Sequence, residues 1–235
     1  VIDPPLGDPI DWTGARVPSK VELAGRTVTL RPLDPGVDVK ALFPISHEPS
    51  GDPSIWTYLP YGPYRDRREM EEQMEVEAAG EDPLWFSIVP AAYGEAMGRA
   101  TYLRIDPANG SIEIGHIWLG AQLRRTTAAT EAIFLLARHA FEDLGYRRLE
   151  WKCNALNKAS TRAAARFGFQ FEGLFRNHRV VKGRNRDTAW FSIIDSEWPS
   201  LAAVYEGFLA PDNFDADGGQ RQSLGRLTRA NKQTD

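Results

Sequence analysis

The stretch QLRRTTAATEA, residues 122–132, sets two arginines and two threonines at the start of a run that reads as a helix. A helix N-terminus carries unpaired N–H donors and the positive end of the helix dipole, a ready site for an anion. Arg124 and Arg125 can add charge-assisted bonds. The hydroxyls of Thr126 and Thr127 can cap the helix or reach a phosphate oxygen. Phosphate-holding turns usually carry glycine, which allows close approach and positive φ; none stands between Gly120 and Gly145. A second reactive group is Glu113 in IEIGHIWL (112–119). Its carboxylate is either a proton acceptor or an ordinary strand glutamate in solvent or an ion pair. His116, three residues on, falls on the opposite face of a regular strand, unless a bulge intervenes. Asn157 suits a helix N-cap, and Ser160 falls in the turn that follows, where its hydroxyl can bond its own backbone. Cys153 has no histidine near it in sequence and reads as packed. The histidines at 47, 116, 139 and 178 lack metal-ligand spacing, so no metal is expected.

The elements that must position these groups alternate between short strands and helices. Residues 1–24, with four prolines and two glycines, read as an extended arm pinned by Trp12. GRTVTLRPL (25–33) alternates as a strand, and a short helix is expected over 36–45. RDRREMEEQMEVEAAG (65–80) spaces Met70, Met74 and Ala78 as one helix face, with acids on a solvated face and Gly80 at the C-cap. Strands follow at 83–90, 94–106 and 109–120, then a largely buried helix over 127–144. A strand at 147–156, a helix at 158–167, strands at 169–177 and 186–195 and a helix at 196–210 complete a domain of 25–210. The basic run 176–186 reads as a solvated hairpin tip, or as an attractor of anions. From Pro211 to 235 the chain is polar and reads as a flexible or loosely docked tail. The order predicts a mixed α/β (α+β) domain with an antiparallel first half and a central βαβ step.

Composition bounds the partners. The 235 residues are 42% hydrophobic and 26% charged, with a net charge of -4, which fits a globular protein and argues against nucleic acid. No apolar run reaches membrane-spanning length, and the N-terminus has no secretory pattern. The single cysteine excludes an intrachain disulfide and suits a reducing compartment. A cytoplasmic protein is expected.

Taken together, residues 111–175 resemble the GNAT superfamily of N-acetyltransferases, in its RimJ/RimL-type branch. The resemblance rests on Glu-Ile-Gly at 113–115, the turn from Arg124 through Thr-Glu-Ala at 130–132, Asn157-x-x-Ser160, and Gly-Phe-x-x-Glu-Gly at 168–173. It implies the GNAT fold, a mixed and mostly antiparallel sheet of six to seven strands flanked by helices, and acetyl-CoA as co-substrate. It places the pyrophosphate at Arg124, Arg125, Thr126, Thr127, Ala128, Ala129 and Thr130, with Thr127 in the usual glycine position. It further implies carbonyl polarisation by backbone N–H groups near Ile117, Trp118 and Leu119, pantetheine contact by Asn157, Glu113 as base and Ser160 as acid. The acceptor groove would involve the aromatic segment SIWTYLPYGPY, namely Trp56, Tyr58 and Tyr61, together with His116 and Arg176.

The reaction implied is direct acetylation of a primary amine: a protein N-terminus, a lysine or a small molecule. Another donor such as succinyl-CoA, or a non-catalytic acyl-CoA sensor, also fits a turn with Thr127 in place of glycine. Family members occur as monomers and homodimers, and the sequence does not choose.

Overall fold

A computed structural model describes residues 4–216 and 218–231. The alternating segment at 25–33 forms strand β2 (Val28–Pro32), whose Val28 and Leu30 point into the core. It pairs with a two-residue strand, β1 (Leu23–Ala24), and with β3 (Leu84–Pro90). Helix α1 (Pro35–Ser46) starts at Asp34, whose carboxylate accepts from the Val37 N–H. A 3₁₀ turn at Pro53–Trp56 and helix α2 (Arg67–Ala79) follow. Strands β4 (Gly98–Asp106) and β5 (Ser111–Leu119) complete an antiparallel meander. Helix α3 (Thr127–Arg138) then crosses over to β6 (Arg148–Asn154), which pairs parallel to β5. Helix α4 (Lys158–Arg166), the long hairpin β7 (Gln170–Val181) and β8 (Arg184–Ile194), helix α5 (Trp198–Leu209) and helix α6 (Leu224–Asn231) end the described chain.

The sheet has eight strands in the order β1-β2-β3-β4-β5-β6-β8-β7, one more than the six to seven expected. The addition is β1, too short to show alternation and hidden within the segment read as an arm. That arm is held by Trp12, whose Nε1–H donates to the Ala108 carbonyl (2.6 Å). Its ring fills the space that a side chain at Gly110 (φ 68) would need.

Adjacent side chains on a strand serve opposite faces, and two apolar clusters result. One joins Leu42, Trp56, Met70 and Met74 to Trp85 and Trp118, under α1 and α2. The other joins Phe86, Ile112, Leu149 and Trp151 to Leu136 of α3 and Tyr205 of α5.

Four expectations are corrected or narrowed. The α-helix from 127 ends at Arg138, and a π turn (His139–Asp143) carries the chain on, closed by Leu144 N–H to His139 carbonyl. Glu77 is not on a solvated face: it is buried and ion-paired with the fully buried Arg99, whose guanidinium lies over Trp85. The basic run 176–186 is not all hairpin tip, because β7 and β8 stay paired to Val181–Arg184, leaving only Lys182 and Gly183 at the tip. Among the described residues beyond Pro211 the chain is docked rather than flexible, the second of the two readings of 211–235: Leu224 and Thr228 of α6 are buried, and the Asn213 amide bonds to Phe208 and Gln222, while 217 and 232–235 lie outside the described residues. Sparse apolar residues in a polar segment gave no periodic signal for that helix.

Candidate active site

The site begins where two parallel strands part. β5 and β6 pair at Ser111–Arg148, Ile112–Leu149 and Glu113–Glu150, and the pairing stops there although both strands continue. A bulge in β5 accompanies the split. Gly115 faces Thr101 and Trp118 faces Arg99, so three steps on β5 oppose two on β4. His116 absorbs the extra residue with φ 50°. Bulges bend a strand and re-aim its side chains; here the bulge invalidates the simple rule that put His116 opposite Glu113. Both residues line the resulting groove, of about 1500 Å³, with Ile117, Trp118 and Leu119. The Trp118 ring itself is buried against Trp56.

At one end of the groove stands the start of α3. Thr126 is the N-cap: its Oγ1 accepts from the Ala129 N–H (3.1 Å). Thr127 is the first helical residue, and the positive φ of the turn falls on Arg125 (64°) instead. The glycine position therefore needs no left-handed conformation here, and threonine fits it without strain. Among the described residues, the Thr127 and Ala128 N–H groups have no protein acceptor, as expected for a first helical turn. Thr126, Thr127, Ala129 and Thr130 line the groove, while Ala128 is buried and does not. Arg125 is exposed at the rim. Arg124 is less free than its place in the sequence implied: it donates to the Leu119 carbonyl (3.0 Å) and pairs with Asp52 (2.6 Å). The Thr-Glu-Ala portion is structural at its centre, since buried Glu131 accepts from the Arg26 (2.8 Å) and Thr27 (2.7 Å) N–H groups.

The middle of the groove is ionic. Glu113 is 3% exposed and bridges Arg104 (2.5 Å) and Lys152 (3.0 Å); Lys152 also pairs with Glu150 and lies over the Trp190 ring. Of the two readings of Glu113, the ion pair is thus present. Across the split, Asn157 caps α4 by accepting from the Ser160 N–H (3.1 Å). Ser160 Oγ accepts from Trp151 Nε1–H (3.0 Å) and lies within hydrogen-bonding reach of the Cys153 thiol, which burial pushes up from its usual pKa.

The aromatic segment divides in two. Trp56 is 1% exposed, donates to the Ser46 carbonyl, and is a core residue rather than an acceptor contact. Tyr61 also lies off the groove wall; it stacks on His116 (5.4 Å), which Trp85 flanks at 5.1 Å. Tyr58 does line the groove, and its hydroxyl donates to the Leu156 carbonyl (3.2 Å). Lys182 at the hairpin tip donates to the Trp56 carbonyl (2.7 Å), so the segment bridges the groove to both β6–α4 and β7–β8. Burial, helped by Arg99, Arg104 and Arg186, lowers the His116 pKa to about 4, leaving a neutral imidazole. Arg176 is exposed and off the groove wall; the hairpin supplies Arg179, Lys182 and Arg186 instead. The basic run signalled those three, but nothing in the sequence singled out Arg104 or Lys152.

Nine arginine and lysine side chains line the groove and only one acid, Glu113, among the described residues. In a protein of net charge -4, that is a strongly focused positive field. No group of histidine, cysteine or acidic residues with metal-binding geometry occurs among the described residues, and no helix there is long and apolar enough to cross a membrane.

Comparison with known proteins places the chain. A family model described as an acetyltransferase (GNAT) domain matches residues 27–170. "Uncharacterized N-acetyltransferase p20" of Bacillus licheniformis is 30% identical over 150 residues, 63% of this chain and 84% of the relative. "Putative ribosomal N-acetyltransferase YdaF" of Bacillus subtilis (strain 168) is 29% identical over 105 residues, 45% of this chain and 57% of the relative. A crystal structure of a GCN5-related N-acetyltransferase from Brucella melitensis has a TM-score of 0.89 and 46% identity, over 93% of this chain and 99% of that one. A match of this extent, on the same strands and turn that carried the RimJ/RimL-type resemblance, shows that the chain belongs to the GNAT family of N-acetyltransferases.

Proposed function

We propose that the protein transfers an acetyl group from acetyl-CoA to a primary amine by direct attack within a ternary complex. One observation carries this reading: the unpaired edges of β5 and β6 meet the open N–H groups at the start of α3 in a single basic groove. The donor's phosphates suit the α3 turn, and its pantetheine amides suit the unpaired strand edge beside Asn157. The backbone N–H groups at Ile117–Leu119 would polarise the thioester carbonyl.

In the reaction the amine nitrogen attacks the carbonyl carbon, a C–N bond forms, and the C–S bond breaks. The amine loses a proton and the departing thiolate gains one. Glu113 accepts the first proton, directly or through water. It is held by Arg104 and Lys152, and a carboxylate is in any case a weak base. A weak base suffices for an α-amino group, of which about a tenth is neutral at pH 7, far better than for a lysine, with well under about 0.1% neutral. Ser160 supplies the second proton. An indole N–H only donates, so the bond from Trp151 leaves the Ser160 hydroxyl proton free for a sulfur acceptor.

Calorimetry with acetyl-CoA and succinyl-CoA, followed by thiol-release assays across peptides, amino acids, polyamines and aminoglycosides, tests the proposal. Tight acetyl-CoA binding with amine-dependent thiol release is expected. Binding without release for any amine would favour a sensor, and no binding up to about millimolar donor would refute the reading.

A further inference from the structure

The donor's phosphates account for the basic side chains around α3 and α4, among them Arg125 and Arg162, but not for those at the other end of the groove. There the register of the β7–β8 hairpin sets Arg179 directly opposite Arg186. Like charges in directly opposed positions destabilise a sheet, so the pairing calls for an explanation. It is produced by a bulge: Phe175 pairs with Thr188 and Arg179 with Arg186, so four steps on β7 oppose two on β8, with Asn177 at φ 50°. Asp187 holds this bulge, its Oδ1 accepting from the Asn177 N–H (2.7 Å) and from Asn185 Nδ2 (3.0 Å). The acid adjacent to Arg186 in sequence is thereby committed elsewhere.

Neither the exposed Arg179 side chain nor the half-buried Arg186 side chain has a hydrogen-bond or ion-pair partner among the described residues, and the Arg186 Nε is buried without one. Both line the groove. Glu113, the only acid lining it among the described residues, is already shared by Arg104 and Lys152. The charge of Arg186 acts on His116 and Cys153, and it lines the groove with both, which places it beside the reacting centre rather than at the phosphate turn. Arg186 is half-buried with its Nε shut off from solvent, an arrangement that an anion would complete, and the planar guanidinium fork matches a carboxylate.

We propose that Arg179 and Arg186 form a carboxylate subsite on the acceptor side, so that the preferred acceptor is an amine bearing a carboxylate close to the nitrogen, as in an amino acid or a peptide beginning with an acidic residue. The inference rests on the acetyl-transfer reading above.

The test pairs acceptors that differ only in charge: peptides starting with Asp or Asn, and alanine against alaninamide, assayed by thiol release with wild type, R186Q, R179Q and the double variant. Wild type should prefer an acidic member of a pair. R186Q should lower kcat/KM for that acceptor about 10- to 100-fold, mainly through KM, and change the neutral acceptor less than about 3-fold. Which pair responds separates a peptide side-chain carboxylate from the α-carboxylate of a free amino acid. Melting temperature and acetyl-CoA affinity, measured on each variant, distinguish misfolding or a donor role from an acceptor role. Equal losses for charged and neutral acceptors, no charge preference in wild type, or weakened donor binding in R186Q would each overturn the subsite while leaving acetyl transfer intact. No thiol release with any amine would instead remove the reading beneath it.

Discussion

Replacing Glu113 by Gln removes one negative charge from a place where two cations converge. The side chain is 4% exposed and contacts Arg104 at 2.5 Å and Lys152 at 3.0 Å. Deleting one partner of a buried pair typically costs about 3–5 kcal/mol. Two features reduce that here: Arg104 is 42% exposed and can turn to water, and Lys152 keeps Glu150. A loss of about 1–3 kcal/mol remains, which for a domain of this size lowers the melting temperature by roughly 2–4 °C per kcal/mol. A general base typically contributes about 100- to 10,000-fold, so turnover should fall by about 100-fold or more. Donor affinity should stay within about 3-fold, because Glu113 lies away from the α3 turn. Thermal unfolding, calorimetry with acetyl-CoA and thiol release from pH 6 to 9 read these three quantities separately. An unchanged melting temperature would refute the ion-pair argument, and unchanged turnover across that pH range would remove Glu113 as the base.

Three further outcomes follow from the same geometry. Because His116 has its pKa lowered from 6.5 to about 4, the unfolded chain binds its proton more readily between those values and stability rises with pH across them. Chemical denaturation should show about 2 kcal/mol less stability at pH 5 than at pH 7 from this residue, and an equally steep slope in His116→Asn would sink the assignment. Thr126→Ala should cost about 1 kcal/mol of stability as a lost N-cap, whereas Thr127→Ala should leave stability nearly unchanged and weaken donor binding; calorimetric and melting data showing the reverse would exchange their roles. Asp52→Asn frees Arg124 at a cost under about 1 kcal/mol and should hold or raise acetyl-CoA affinity, so a clear loss by calorimetry would mean that Arg124 works only while tied to Asp52.

Much of the fold was legible because local physics produces it. Val28 and Leu30 alternate, Met70 and Met74 share a helical face, and Asn157 and Thr126 cap the helices they precede; each of these depends on neighbours a few residues away. The α3 turn and the Glu113 strand were readable for the same reason, since a motif is a local pattern. What lay beyond reach depends on partners distant in the chain. Trp56 looks like an exposed aromatic until the Ser46 carbonyl and the Trp118 ring are placed around it. Glu77 looks solvated until Arg99, twenty-two residues later, is buried beside it. The bulge at His116 is a mismatch between two strands and exists in neither alone.

Local pattern in the chain specifies the ingredients of the groove: a helix start with open N–H groups, a nearby carboxylate, and a hydroxyl one strand away. The state of those groups is set by the fold. It shows Glu113 shared between two cations, Arg124 tied to Asp52, and Arg179 and Arg186 facing each other without a counter-charge. The reason is that charge and burial are properties of surroundings, and those surroundings are assembled from β4, β6 and the β7–β8 hairpin only when the chain folds.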